Sequence, residues 1–406
     1  MTSKTYCVMP WLSIAVDPDG SIKPCCESQY YFRKDDGTKF NLGIDTIEDI
    51  YNSTDFVNIR TSMLEGKLVS GCETCYKNEE ISGHSPRTYH NEHWKTEFTE
   101  PIAETKIKYF DLRFGNLCNL MCRSCNPRNS SQLEKELKTL SHTNISTYIS
   151  PGYDYDINEW YLTDIFDKNM ESQINNIKWL YITGGEPTIV EKNIQLLEKL
   201  ISSGRSKSII LLFNTNMTNT KPKFYELIKE FRNVICIASI DGYGDMQEYL
   251  RYPSDWNKIN SNLQELVDMG RPVKVLPTVV VQATNLGKLV ELFDYFENFN
   301  RIANKRLLEI EVILLQYPSY LNLVHLPVTY KIQCWEQIEE WLQTKCKYQS
   351  SHFHTSMVGL KELCYTDALS THEIKKYKEF NSLLDTNRKQ NLQDVNLDLY
   401  NIIKNI

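Results

Sequence analysis

Six short apolar segments that alternate with amphipathic helical patterns constrain the fold of this chain more than any other feature. The segments begin at about residues 106, 177, 208, 234, 273 and 308. Between the third and fourth segments, a helical pattern places Phe224, Leu227, Ile228 and Phe231 on one face. Near-continuous apolar strands that alternate with such helices indicate a parallel sheet covered by helices. The sequence therefore predicts an α/β fold, either a partial β/α barrel or an open doubly wound sheet.

Short polar or glycine-rich stretches follow the carboxyl ends of four of these predicted strands. They are residues 116–127, residues 184–187, residues 214–216 and residues 241–242. Parallel β/α folds build their binding and catalytic sites at that edge of the sheet. We therefore expect the four stretches to lie together at the opening formed by the carboxyl ends of the strands.

Cysteine usage points to metal ligation. The chain has 12 cysteines, and eight of them lie within the first 125 residues. Because the first residues lack an apolar signal core, we expect a reducing, cytoplasmic location, where metal ligation is favoured over disulfides. In the loop after the first strand, Cys118, Cys122 and Cys125 have the spacing C-x3-C-x2-C. Four thiolates would close a zinc site or a cubic iron–sulfur cluster, so three leave one position open.

Three motifs resemble the radical S-adenosylmethionine (SAM) enzymes over about residues 106 to 316. They are the cysteine loop, Gly184-Gly-Glu-Pro187 and Ser239-Ile-Asp-Gly242. The resemblance implies a partial (β/α)6 barrel in which Cys118, Cys122 and Cys125 ligate three irons of a [4Fe-4S] cluster. The fourth iron would bind SAM, whose reductive cleavage would yield a 5′-deoxyadenosyl radical that abstracts a substrate hydrogen. Ser124 departs from the family, many of whose members have an aromatic residue at that position.

The resemblance also implies residues that contact SAM, which are Gly184, Gly185, Glu186, Pro187, Asn214, Asn216, Ser239, Asp241 and Arg251. The two glycines would let the backbone approach the SAM amino group, and Glu186 would accept a hydrogen bond from it. A plain turn is the alternative for residues 184–187, and a turn or cap is the alternative for the two asparagines. For Arg251, pairing with the SAM carboxylate and a surface salt bridge both remain open.

A second group of cysteines lies in the first hundred residues. Two short alternating segments around residues 17–20 predict a hairpin that brings Cys7 and Cys25 towards the same end, and Cys72 and Cys75 form a C-x2-C pair. The step from Gly20 to Cys25, with Cys7 upstream, resembles the SPASM and twitch extensions of radical SAM enzymes, which hold auxiliary iron–sulfur clusters.

The resemblance leads us to expect a twitch-like module with one auxiliary [4Fe-4S] cluster. Its ligands would be Cys7, Cys25, Cys72 and Cys75. Cys26 could replace Cys25 as a ligand. Zinc on the same residues is the alternative, because thiolates bind both metals.

We expect three domains: a cluster module at residues 1–100, the radical SAM core at residues 101–316 and a mainly helical extension at residues 317–406. The expected function is a radical SAM oxidation, dehydrogenation or other modification of a peptide or small metabolite. The alternative is a non-catalytic binding scaffold stabilised by an iron–sulfur cluster or zinc. An electron donor such as flavodoxin or ferredoxin would be a partner.

Charge and hydropathy argue against two further classes of partner. A net charge of −7 and a pI near 5.7 disfavour a broad nucleic-acid-binding face. The longest apolar runs, such as residues 208–213, have the length of a strand and not of a membrane span.

Overall fold

The computed structural model describes residues 4–82, 85–95, 105–140, 142–143, 145, 148, 157–218 and 222–406. The strands in these ranges are β1 Ser13–Val16, β2 Ile22–Lys23, β3 Tyr109–Arg113, β4 Trp179–Thr183, β5 Ile210–Thr215, β6 Asn233–Ser239, β7 Val273–Val281 and β8 Glu311–Leu314.

Most helices follow the predicted strands or lie in the C-terminal third. They are α1 Met9–Leu12, α2 Ile47–Asn52, α3 Thr54–Leu64, α4 Glu73–Ser82, α5 Pro86–Trp94, α6 Ser131–Thr139, α7 Asp164–Gln173, α8 Glu191–Ser202, α9 Pro222–Ile228, α10 Asp245–Leu250, α11 Trp256–Met269, α12 Leu289–Ala303, α13 Val328–Thr344, α14 Ser351–Tyr365, α15 Thr371–Arg388, α16 Leu392–Val395 and α17 Leu397–Lys404.

The strands belong to one mostly parallel sheet with the order β2-β1-β3-β4-β5-β6-β7-β8. The pairs β1–β3, β3–β4, β4–β5 and β7–β8 are parallel, whereas β1 and β2 are antiparallel. The predicted α/β class is therefore confirmed, and the six predicted strands correspond to β3 through β8.

The predicted N-terminal hairpin forms, but it also joins the sheet. β1 pairs with β2 across the turn and lies parallel to β3, with Ser13 opposite Tyr109 and Ala15 opposite Asp111. This second pairing was not predicted, because the hydrophobic pattern of β1 does not specify a partner strand far away in the chain.

Contacts divide the chain into two compact units. The first comprises residues 1–117, 155–213 and 222–234, and the second comprises residues 118–154, 214–221 and 235–406. The three domains expected from the sequence stay a prediction.

In the first unit, β3 has an apolar side and a polar side that are both buried. Phe110 and Leu112 are fully buried, and each contributes about 1.5–3 kcal/mol through burial. Tyr109, Asp111 and Arg113 alternate with them along the strand. A buried polar side is unusual in a sheet core, and it lies next to the N-terminal cysteines, as described below.

Local signals located the helix ends well. The Ser130 hydroxyl accepts a hydrogen bond from the Leu133 amide at 3.1 Å and caps α6, a position at which serine is favoured. Gly204 has a φ of +72° just after α8, as expected of a residue that ends a helix. Residues after 317 are mainly helical, again as predicted. Among the described residues, no helix is long and apolar enough to cross a membrane.

Candidate functional site

The three cysteines of the C-x3-C-x2-C loop lie close together in the second unit. The Cys125 amide donates a hydrogen bond to the Cys122 carbonyl at 3.1 Å, and the Leu120 amide donates to the Cys118 sulfur at 3.5 Å. Burial raises the pKa of Cys125 far above its usual value, and the nearby Cys122 and Cys118 thiols raise it further. The loop therefore gathers three thiols whose charges interact.

Two arginines lie near the middle thiol of this loop. Burial raises the pKa of Cys122, while the positive charges of Arg251 and Arg388 act in the opposite direction. The Arg251 side chain is 14% exposed, and its Nε donates to the buried Asp241 Oδ2 at 2.7 Å. Burial tends to lower the pKa of Arg251, but Asp241 and Cys122 raise it above its usual range. The ion pair of Arg251 is thus internal and not at the surface, and its predicted contact with SAM stays a prediction.

Asp241 is engaged by protein groups at both carboxylate oxygens. Its Oδ2 binds Arg251, and its Oδ1 accepts from the Val280 amide at 2.8 Å. The Gln247 side chain joins this arrangement, because its Oε1 accepts from the Asp241 amide at 2.7 Å and its Nε2 donates to the Ser239 carbonyl at 3.4 Å. The loop after β6 is therefore held by its own side chains, and the SAM contacts of Ser239 and Asp241 stay predictions.

The asparagines after β5 connect to the cysteine loop within the second unit. Asn216 Nδ2 donates to Asn119 Oδ1 at 2.8 Å, and Asn119 Nδ2 donates to Thr218 Oγ1 at 2.7 Å. Asn216 Oδ1 also accepts from the Thr218 amide and hydroxyl. Asn214 is half-buried near the end of β5. Asn216 thus closes a turn and also braces the loop, while contacts of either asparagine with SAM or substrate stay predictions.

The stretch from Gly184 to Pro187, in the first unit, packs closely against the chain just before the cysteine loop. Gly184 has a φ of +111°, and a Cβ on Gly185 would lie 2.1 Å from the Leu117 carbonyl oxygen. The Glu186 amide donates to that same oxygen at 2.8 Å. The glycines therefore have a packing reason of their own, independent of the predicted approach to SAM.

Glu186 caps a short 3-10 turn that begins at Pro187. Its side chain is buried, and its Oε1 accepts from the Thr188 hydroxyl at 2.6 Å and from the Thr188 amide at 3.2 Å. This arrangement fixes the orientation of the carboxylate. Hydrogen bonding of Glu186 to the SAM amino group stays a prediction.

The five N-terminal cysteines surround one cavity in the first unit. Its empty volume is about 610 Å³ including the open mouth, and its lining includes Cys7, Cys25, Cys26, Cys72, Cys75 and Asp111. Burial raises the pKa of Cys7 to about 12, with further contributions from Cys72 and Cys75. Burial raises the pKa of Cys72 to about 11, and Cys75 adds to that shift. The thiols of residues distant in the sequence are thus brought together.

Adjacent cysteines in this cavity have different neighbours. The pKa of Cys25 is well above its usual value because of burial and because of Cys26, Cys7 and Cys72. Burial also raises the pKa of Cys26 to about 12, but the next largest effect there comes from Asp111. Apart from burial, the pKa of Cys25 is therefore influenced mainly by other N-terminal thiols, whereas that of Cys26 is influenced most by Asp111, on the polar side of β3.

The polar side of β3 contains a carboxylate that the sequence reasoning did not single out. Asp111 Oδ2 accepts from Arg113 at 3.3 Å, while Asp111 Oδ1 has no hydrogen-bond partner within the described residues. Burial raises the pKa of Asp111 to about 6, although Arg113 and Lys23 oppose the shift. Arg113 also binds Asp17 at 2.6 Å. The only sequence signal for this group was a pair of charges inside an otherwise apolar strand.

The donor sets of the two cysteine groups fit cysteine-ligated clusters. Buried and half-buried cysteines line a cavity in one group and a single loop in the other, and thiolates are the usual ligands of iron–sulfur clusters. Within the described ranges, no three or more His, Cys, Asp or Glu side chains are arranged to hold a single metal ion. Thiolates also bind zinc, so the donor chemistry by itself is compatible with either metal.

Comparison with known protein families assigns the N-terminal segment. Residues 7–76 match the SPASM family, described as an iron–sulfur cluster-binding domain. The matched segment contains all five N-terminal cysteines and ends one residue after Cys75. A search of curated proteins finds no match.

Several solved structures are similar to this chain at low sequence identity. Native anSMEcpe with bound AdoMet has 15% identity and a TM-score of 0.37, and the match covers 60% of each chain. Streptococcus suis SuiB bound to S-adenosylmethionine has 13% identity and a TM-score of 0.38, covering 79% of this chain and 68% of SuiB. SuiB bound to the precursor peptide SuiA has 11% identity and a TM-score of 0.36, covering 86% and 75%. With identities of 11–15% and TM-scores below 0.4, these similarities support no conclusion about the site.

The SPASM match and the cysteine loop are independent features of the chain. The match covers the N-terminal cysteines, whereas the loop, whose spacing resembles that of the radical SAM enzymes, lies more than forty residues beyond its end. Whether the N-terminal segment is of the twitch subtype stays a prediction. Residues 7–76 therefore belong to the SPASM family of iron–sulfur cluster-binding domains, and membership of the whole chain in the radical SAM family stays a prediction.

Proposed function

We propose that the chain cleaves SAM reductively at a [4Fe-4S] cluster bound by Cys118, Cys122 and Cys125 and thereby modifies a peptide or a small metabolite. The observation that carries this proposal is the gathering of three interacting thiols on one loop. Three thiolates would leave one iron available to SAM, and a reduced cluster bound there would supply the electron for SAM cleavage and hence for hydrogen abstraction from the substrate.

The side chains around the loop have defined tasks in this proposal. Arg251 compensates thiolate charge beside Cys122, and Asp241 holds Arg251 in place. Glu186 accepts a hydrogen bond from the SAM amino group, with its carboxylate oriented by Thr188. The other family-matched positions, which are Gly184, Gly185, Pro187, Asn214, Asn216 and Ser239, line the remainder of the SAM site.

The proposal includes one auxiliary [4Fe-4S] cluster in the N-terminal cavity. Cys7, Cys25, Cys72 and Cys75 are the proposed ligands, since all four line this cavity, and Cys26, which lines it too, could replace Cys25. A cluster held by these cysteines would supply an acceptor for an electron from the substrate radical or a point at which the substrate is anchored.

Substrate, donor and location belong to the same proposal. SuiB has been solved with the precursor peptide SuiA, and anSMEcpe with the Cp18Cys peptide. For this chain we favour a peptide and retain a small metabolite as the second possibility. Flavodoxin or ferredoxin would donate the electron in the cytoplasm, and the chain would be organised as residues 1–100, 101–316 and 317–406.

The test is the iron content and the SAM cleavage of anaerobically reconstituted protein. We expect about eight irons for two cubic clusters, and reductive formation of 5′-deoxyadenosine. The triple change of Cys118, Cys122 and Cys125 to Ala should halve the iron and abolish cleavage. Cys346→Ala, at a half-buried single cysteine, is the matched control and should change neither.

Two outcomes would contradict parts of this proposal. Cleavage of SAM by the triple variant would overturn the assignment of the cysteine loop. Two full clusters with no cleavage of SAM under reducing, oxygen-free conditions would instead favour the non-catalytic scaffold.

The auxiliary cluster has its own test. Changing Cys72 and Cys75 to Ala should remove the N-terminal cluster and leave SAM cleavage at least partly intact, because the loop cysteines are unchanged. One zinc per chain, with iron for only one cluster in the anaerobically purified wild type, would contradict the auxiliary cluster.

A further inference from the structure

Helix α15 contacts the cysteine loop and the helix that follows it, although it lies more than 230 residues later in the chain. We propose that α15 is part of the cluster site, where it holds the cysteine loop through Arg123 and raises the reduction potential of the cluster through Arg388. This inference rests on the proposed cluster at Cys118, Cys122 and Cys125.

Arg123 fixes the middle of the loop. Its side chain is only 1% exposed, and its guanidinium lies 3.7 Å from the ring centre of Tyr249. The guanidinium donates to four oxygens at 2.5–3.0 Å, which belong to the Tyr249 carbonyl, Asn381, Asp385 and Gln390. Asn381 and Asp385 lie on α15. A planar arginine with every direction engaged cannot be moved without breaking several charge-assisted hydrogen bonds.

Backbone hydrogen bonds secure the same part of the loop from another side. The Met121 amide donates to the Tyr252 carbonyl at 2.6 Å, and the Arg123 amide donates to the Leu250 carbonyl at 2.9 Å. Between these two carbonyls lies Arg251, the arginine that pairs with Asp241. The backbone on both sides of Cys122 is therefore fixed by neighbours within the second unit.

Arg388 connects the other end of the loop to α15. Its Nε and Nη2 form a two-point ion pair with Glu136 of α6 at 2.9 and 2.5 Å, and the Asn387 side chain donates to the same carboxylate at 2.9 Å. Both charged side chains are buried, with exposed fractions of 1% and 4%. A fully paired and buried ion pair holds its geometry tightly, since removing one partner leaves an uncompensated charge.

One nitrogen of Arg388 remains available to the cluster. Within the described residues, its Nη1 is buried and has no hydrogen-bond partner, while the guanidinium lies 5.2 Å from the ring centre of Tyr252. An unsatisfied buried donor of a charged group is costly, so a position of this kind indicates an acceptor that binds there. Tyr252 is itself joined to the cysteine loop, because its carbonyl accepts from the amide of Met121, the residue before Cys122, at 2.6 Å. Cluster and cysteine sulfurs at the loop would be suitable acceptors for Nη1.

The expected chemical effect follows from the charge of the cluster. Reduction adds one electron, with no bond broken and no proton transferred, and so makes the cluster more negative. Positive charge and hydrogen bonds directed at the sulfurs stabilise that reduced form and raise the reduction potential. Arg388 is thus a positioning and tuning residue that does not contact the reacting atoms.

The test compares reduction potentials by redox titration followed by electron paramagnetic resonance. The Cys72→Ala/Cys75→Ala background leaves a single cluster to titrate. Arg388→Gln combined with Glu136→Gln avoids an unpaired buried charge and should lower the reduction equilibrium constant at least tenfold, which is 59 mV for one electron. Glu136→Gln alone leaves the positive charge uncompensated and should shift the potential in the opposite direction.

Lys375→Gln is the matched control, because it removes a positive charge from the same helix at an exposed position. It should leave the potential unchanged. If all three variants had the same reduction potential as the Cys72→Ala/Cys75→Ala background, the tuning role of Arg388 would be refuted. The holding role of Arg123 would not be affected by that result. A wild-type chain that binds no cluster at the loop would overturn the proposed function, and this inference with it.

The holding role of Arg123 has a readout that needs no cluster. In metal-free protein, Asp385→Ala should accelerate amide hydrogen exchange in residues 118–125 at least tenfold relative to Lys375→Gln. If Asp385 stabilised only regions away from the loop, Asp385→Ala would accelerate exchange in those regions, and exchange in residues 118–125 would equal that of Lys375→Gln. Unchanged exchange in the loop of a folded variant would refute the holding role.

Discussion

Gly185 offers a sharp test of the packing next to the cysteine loop. An alanine Cβ at this position would lie 2.1 Å from the carbonyl oxygen of Leu117, 2.6 Å from its carbonyl carbon and 2.9 Å from the carbonyl carbon of Asn116. These are all backbone atoms, so no side-chain rotation can relieve the clash. Gly185→Ala must therefore displace the segment that leads directly into Cys118.

The size of the effect can be estimated from two contributions. Forcing a methyl group into a well-packed site costs about 1–3 kcal/mol. Retreat of Leu117 would also break its hydrogen bond from the Glu186 amide, at 2.8 Å, which is a loss of about 0.5–1.5 kcal/mol. We expect Gly185→Ala to lower the free energy of unfolding by about 1.5–4.5 kcal/mol.

The same substitution at Gly359 provides a control with the opposite sign. Gly359 lies inside α14, and among the described residues outside its own helical turn its added Cβ would meet Leu314 Cδ1 at 3.5 Å, an ordinary contact. Alanine is favoured over glycine in a helix by about 1 kcal/mol, so Gly359→Ala should be stabilising. Urea midpoints should therefore rank Gly359→Ala above wild type and Gly185→Ala below it. A wild-type midpoint for Gly185→Ala would refute the close approach of residues 117 and 185.

Three further predictions follow from the site. Glu186→Gln keeps the oxygen that accepts a hydrogen bond from Thr188 but removes the negative charge. The affinity for SAM should therefore fall about ten- to a hundred-fold, while the absorption spectrum of the cluster stays normal. An unchanged affinity would contradict the contact of Glu186 with SAM. Because burial raises the pKa of Asp111 from 3.8 to about 6, the contribution of this group to stability is present below pH 3.8 and lost as pH rises through 6. Asp111→Asn should therefore stabilise the metal-free protein by about 3 kcal/mol at pH 8 but not at pH 3.5. Equal urea midpoints for wild type and variant at pH 8 would count against this prediction. Burial raises the pKa of Cys7 from 9.0 to about 12, so this thiol is protonated in the metal-free protein and must lose its proton when it binds a metal. In calorimetric titrations, metal binding should therefore release protons, and the affinity should increase from pH 7 to pH 9. An affinity that does not depend on pH would contradict protonated ligands.

Periodicity was sufficient for the elements that depend on local sequence. The strands β3 through β8, the Ser130 cap and the residue after α8 were predictable because apolar repeats and capping residues act over a few positions. The cysteine loop was recognisable for the same reason, since its three thiols lie within eight residues.

The features that the sequence did not predict depend on distant partners or on side-chain direction. The acceptors of the Arg123 side chain lie up to 267 residues away, so no local pattern identifies them. Cys25 and Cys26 are adjacent, and only the folded chain shows that the Asp111 charge raises the pKa of Cys26, whereas the Cys7 and Cys72 thiols contribute to that of Cys25. The pairing of β1 with β3 likewise brings together residues 13 and 109.

The long separations in the sheet and around the loop impose an order on folding during synthesis. At about 5–20 residues per second, β3 emerges roughly 5–20 s after β1, so β1 has an exposed edge until then. The loop cysteines wait longer, because Asp385 and Arg388 are made about 260 residues after them, roughly 13–50 s later. The residues that line the N-terminal cavity, up to Asp111, are therefore synthesised before those that hold the cysteine loop from α15.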